Sequence, residues 1–196
     1  GAVYDVLKRI SLESGTWAAG TAAGRFIIAA PSGGSFTAGA FTAGVTATAS
    51  GAETLITMLP GGRMELSVYN FTGRAGAQRI YGSDGVNRGF EFDGDVLVPI
   101  KTGMAVDKPV HCVAHKNHLF FSFDGSVQNS SIAEPFRWSA VTGAGEIAAG
   151  DVVTGFKVLP SDADGGALMV FSATRTWVLY GSSTADWKLS AFSDDV

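Results

Sequence analysis

The chain has almost no means of cross-linking itself. Its 196 residues include one cysteine, Cys112. No disulfide can form within it, so the fold must hold by packing and hydrogen bonding. Charge is scarce too: 16% of residues are Asp, Glu, Lys or Arg, and the net charge is −4. That balance gives no electrostatic reason to expect binding to DNA or RNA. Disorder is excluded as well, because it needs low hydrophobicity and high net charge, and 46% of this chain is hydrophobic. Long runs of large apolar side chains are missing. The uncharged stretch 26–52 is mostly Gly, Ala, Ser and Thr and contains Pro31, so it reads as an uncharged β segment and not as a membrane span. The first nine residues carry Asp5, Lys8 and Arg9 where a leader peptide needs an apolar stretch. The chain reads as soluble.

Helical periodicity is nearly absent. Even residues 4–12, the segment best suited to a helix, also read as alternation. Glycine is abundant, with 26 residues, close to twice the usual ~7%. Between the glycines lie short β-branched and aromatic runs, which predict strands. These fall at 25–29, 53–59, 64–71, 79–81, 89–92, 96–100, 110–115, 119–123, 152–159, 167–172, 176–180 and 187–192. The expected class is therefore all-β.

Composition shifts near Gly61-Gly62. Residues 13–60 are rich in Ala, Gly and Thr. They contain a small echo, Phe36-Thr37-Ala38-Gly39-Ala40 and Phe41-Thr42-Ala43-Gly44-Val45, which reads as a hairpin with Phe36 and Phe41 as anchors. The expected division is a small β-domain over 1–62 and a second β-domain over 63–196, the latter part of a longer chain. Residues 2–10 are expected to return and pair near 64–71.

The second part repeats itself. Phe90-Glu91-Phe92-Asp93-Gly94-Asp95-Val96 matches Phe121-Ser122-Phe123-Asp124-Gly125-Ser126-Val127. Asp-Gly between alternating apolar runs predicts a hairpin with a type I′ turn. A second echo links Phe121-Ser122 and Trp138 to Phe171-Ser172 and Trp187. A hairpin followed by a loop and a Trp, recurring every ~40–50 residues, reads as propeller blades. Three blade-like copies fit, fewer than the roughly four to eight of a closed propeller. The expected core is Phe92, Leu97, Val113, Phe121, Trp138, Phe156, Val170, Trp177 and Leu179.

Several groups invite a chemical reading. His111, Cys112, His115 and His118 have a spacing that superficially resembles zinc ligation. On a strand, however, His111 and His115 share one face and Cys112 points to the other, so a structural role is expected. Asp162-Ala163-Asp164-Gly165 resembles the start of a calcium loop but lacks the later ligands; it reads as a polar turn. Glu91, Asp93 and Asp95 alternate in the manner of a glycosidase carboxylate pair, yet Asp93-Gly94 is better read as the turn. Gly143-Ala144-Gly145 lacks the rest of a dinucleotide fingerprint. Arg63, Arg74, Arg79, Arg88, Arg137 and Arg175 have no spacing that brings them together. The expectation is no catalytic residue, no metal, no cofactor and no enzyme activity.

A set of turn and core motifs carries a family resemblance. They include Gly61-Gly62-Arg63, Tyr69-Asn70-Phe71, Tyr81-Gly82-Ser83-Asp84-Gly85-Val86-Asn87-Arg88-Gly89, Thr102-Gly103-Met104, Asp107-Lys108-Pro109 and His115-Lys116-Asn117-His118-Leu119. They continue in Glu134-Pro135-Phe136-Arg137-Trp138, Gly150-Asp151, Leu179-Tyr180-Gly181 and Asp186-Trp187. With these, the stretch 61–189 resembles β-propeller tail or neck proteins of tailed bacteriophages. The early Ser14-Gly15-Thr16-Trp17 region looks like the small β-domain that precedes the propeller there. The resemblance implies a virion structural protein, assembled as a homo-oligomeric ring with other tail or neck proteins, with no catalytic residue to carry over. The competing readings are a glycan- or receptor-binding domain of a tail tip or fibre, which a rim Trp would favour, and a propeller glycosidase.

Overall fold

The structure is a computed structural model that describes residues 6–29, 37–42, 46–51, 54–160 and 166–193. It is all-β. Two hairpins come first, β1 (Val6–Ser14) with β2 (Ala23–Ile28) and β3 (Gly39–Thr42) with β4 (Thr46–Ala49). Three four-stranded antiparallel meanders follow. The first is β5 (Glu65–Tyr69), β6 (Arg79–Ser83), β7 (Phe90–Phe92) and β8 (Leu97–Pro99). The second is β9 (Cys112–His115), β10 (His118–Phe123), β11 (Ser126–Asn129) and β12 (Gly145–Ala148). The third is β13 (Val153–Leu159), β14 (Ala167–Ser172), β15 (Thr176–Tyr180) and β16 (Lys188–Ser193). No helix among the described residues is long and apolar enough to cross a membrane.

The turns explain the meanders. His115 pairs with His118 across a two-residue loop. Its central residues, Lys116 and Asn117, have φ of +46° and +60°, the signs a type I′ turn requires. The two Asp-Gly turns depart from that expectation. Asp124 takes φ +49° without Gly125 following it into the left-handed region. Phe92 pairs with Leu97, so Asp93-Gly94 sits in a longer loop. There the Asp93 carboxylate accepts the N–H groups of Asp95 and Val96 at 3.1 and 2.8 Å, a side-chain turn that replaces the tight one.

The second meander is the middle layer. Leu119, Phe121 and Phe123 of β10, with Cys112 and Ala114 of β9, pack with Phe71, Tyr81 and Ile100 of the first meander and its flanks. Phe120 and Val127 turn to the other side and pack with Val153, Leu168, Val170 and Leu179 of the third. Alternation along a strand sends successive side chains to opposite faces, and here both faces meet a neighbour. The first strands of the meanders, β5, β9 and β13, lie next to one another. Between the first two sheets the approach is close: a Cβ on Gly89 would stand 2.3 Å from the Phe121 ring.

Several expectations are corrected. Residues 6–10 pair with β2, and β5 pairs with β6, so residues 6–10 do not pair with 64–71; residues 2–5 lie outside the described set. Residues 54–59 form no strand. The Leu59 N–H and carbonyl are instead bonded to the side chain of Asn87 at 2.7 and 2.8 Å. Of the expected core, Phe121, Val170 and Leu179 are buried, while Phe92, Leu97, Val113, Trp138, Phe156 and Trp177 are half-buried. Phe92 and Leu97 form the last pair of the first meander before the 93–96 loop, where the sheet ends, whereas Phe90 on the same face of β7 is buried. The Phe repeat lies partly outside the described residues: Phe36 is not described, nor is the Phe41 side chain.

Candidate functional site

Three distant segments meet at a cleft of about 270 Å³. Glu13 comes from β1, Lys101, Thr102 and Gly103 from the loop after β8, and Phe136, Trp138 and Ser139 from the loop after β11. Each wall is pinned. Arg25 donates from Nε to Glu13 at 2.6 Å and from Nη2 to the Pro99 carbonyl at 2.8 Å, which ties the β1–β2 hairpin to the first meander. Arg137 Nη2 donates to the Gly15 carbonyl at 3.2 Å, which ties the same hairpin to the second. Thr102 donates its hydroxyl to Asp107 at 2.7 Å, and Asp107 also accepts the Thr102 N–H at 3.2 Å.

The aromatic wall is set from the core. Trp138 stacks on Phe121 with ring centroids 5.2 Å apart and planes 6° from parallel. Its indole N–H donates to the Pro135 carbonyl at 2.9 Å. The ring is therefore fixed in plane and has no unmet polar group. Lys101 is exposed and makes no ion pair or hydrogen bond among the described residues. The cleft thus combines a rigid apolar plane with a carboxylate, an ammonium and a hydroxyl around it.

The residues singled out in the sequence lie elsewhere. Glu91 is buried, accepts a hydrogen bond from the Tyr81 hydroxyl at 2.8 Å, and is ion-paired with Lys8 of β1. Burial, with Glu91 beside it, pushes the Tyr81 phenol up. Lys8 also lies 3.5 Å from Asp93. Burial would raise the Asp93 carboxyl, but the N–H groups of Val96 and Asp95 and the nearby Lys8 outweigh it and hold it below its usual range. These acids neutralise a lysine and close a turn.

Among the histidines, His111 lies 6.3 Å ring to ring from Phe156 and has Nδ1 3.0 Å from Glu65. His118 donates from Nδ1 to the Ser130 carbonyl at 2.6 Å and packs edge-on to Trp187. Burial, then the neighbouring Lys116 and His118, lowers His115 to about 4. Burial pushes the Cys112 thiol up to about 12, with Glu65 adding to the rise. No group of three metal-ligating side chains converges among the described residues. Residues 162–165 of the acidic loop lie outside the described set.

The arginines are dispersed. Arg63 pairs with Glu65, Arg88 with Asp107, and Arg137 with Glu134. Arg79 donates to the Gln78 carbonyl, and Arg175 lies over Trp177 at 5.6 Å. The Ser83–Asn87 segment of the long turn motif is a structural lock. Burial opposes ionisation of Asp84, yet hydrogen bonds from Asn87 and Val86 prevail and keep its carboxyl below the usual value. Comparison with protein-family models, curated proteins and solved structures finds no match.

Proposed function

We propose that the chain is a structural component of a phage tail or neck, acting in virion assembly as a ring-forming β module whose meanders are propeller-like blades. One observation carries this reading: three like meanders stack in sequence order with their first strands adjacent, and the two end sheets keep an apolar outer face. On the first, Leu66 and Val68 are 58% and 65% exposed; on the third, Tyr180 and Phe192 are 53% and 72% exposed. A stack of similar twisted sheets is extended by another of the same kind, because each face already suits such a neighbour. A further copy of the chain is the proposed neighbour. The resemblance of the turn motifs to phage tail and neck proteins supplies the setting, and the dispersal of the arginines, with Glu91 and Asp93 engaged by Lys8, favours a non-enzymatic role. An averaged image of the intact particle tests this. Ring density around the tail or neck axis that fits these meanders supports the reading; a particle lacking the chain contradicts it.

A further inference from the structure

We infer that the cleft between Glu13, Lys101 and Trp138 binds a pyranose sugar, and an acidic one in preference to its neutral counterpart. The inference is independent of the assembly role. A pyranose presents an apolar C–H face and a rim of hydroxyl groups. The cleft offers the complement: one indole plane, backed by Phe121 at 5.2 Å, among polar groups that both accept and donate.

Trp138 supplies the platform, and Phe136 extends the apolar wall. The Glu13 carboxylate accepts from sugar hydroxyls, and the Ser139 hydroxyl both donates and accepts. Arg25 already compensates the Glu13 charge, so that carboxylate repels an anion less than a free one does. Lys101 has no such partner among the described residues. Its ammonium is therefore available to a sugar carboxylate, a pairing stronger than a neutral hydrogen bond.

The site is also preorganised. Its walls are bonded across the β1–β2 hairpin and two meanders through Arg25 and Arg137, and Thr102 braces its own loop through Asp107, so little ordering remains to oppose binding. The cleft is shallow and open, which suits a single ring of a longer glycan.

The purified chain is screened on immobilised glycans, and the hits are titrated by calorimetry with the free sugars. Binding to glycans that display an acidic pyranose is expected. Trp138→Phe keeps the stack on Phe121 but shrinks the platform, and it should weaken binding roughly tenfold, on the scale of one aromatic contact. Lys101→Ala should remove the preference for the acidic sugar while leaving Tm in place. Absence of binding to every glycan overturns the inference. So does binding that neither variant changes, because the sugar would then sit elsewhere.

Discussion

The middle and end meanders share a topology and differ in what surrounds them. Every residue of β10 is buried, whereas β5 alternates between half-buried and exposed. The second meander has a sheet on each face; the first has one on a single face, and its outer row carries Leu66 and Val68 in the open. Burial here belongs to the stack and not to the strand. A meander is finished only when both of its faces are covered, which is why the end sheets are where assembly is proposed.

The strongest way to break that contrast is at the centre. Phe121→Ala removes a fully buried ring that lies between Gly89 and Trp138, and should cost about 3–5 kcal/mol. Val68→Ala, at the same kind of strand position but on the open face, should change the stability of the dissociated chain by about 0.5 kcal/mol or less. Chemical denaturation of both variants checks this, and equal losses would show that the outer face is covered within the chain.

A smaller effect is expected from crowding the same junction. Gly89→Ala places a methyl group against the Phe121 ring and should cost about 1–3 kcal/mol. Combining it with Phe121→Leu should recover part of that loss, since the two positions touch.

A pH dependence is also expected. His115 titrates near 4 in the fold and at its ordinary value near 6.5 when unfolded. Between those values the unfolded chain binds the proton and the folded chain does not. Stability should therefore fall as pH drops from about 6.5 to about 4, then stop responding to this group. Denaturation midpoints across that range should show a slope that His115→Phe reduces. The smallest expected signal is at Cys112, whose buried thiol with a pKa of about 12 should resist alkylation until the protein unfolds.

Much of the fold was legible in the sequence. The runs at 167–172 and 176–180 coincide with β14 and β15, because their apolar β-branched and aromatic content is unambiguous. The polar strand β11 and the Gly- and Ala-containing β12 lack that content and are held by pairing with β10 and with each other. Residues 54–59 look like a strand, but Leu59 spends its backbone N–H and carbonyl on Asn87, a partner that no local pattern announces. The cleft was hidden for a related reason. Glu13, Lys101 and Trp138 are far apart in sequence, and only the packing of β1–β2 across two meanders brings them together. The sole local signal was the aromatic pair Phe136 and Trp138 within one turn motif. Glu91, which the sequence sets in an alternating row of carboxylates beside a turn, is a buried ion-pair partner because its face turns inward beside Tyr81.

Sedimentation of the purified chain, compared with a Leu66→Asp, Val68→Asp double variant, tests the central claim most directly. The account predicts that the parent chain self-associates and that the double variant sediments as a folded monomer, because two carboxylates on the outer face of the first meander oppose its coverage. A parent chain that stays monomeric at every concentration, or a double variant that associates as before, would contradict it.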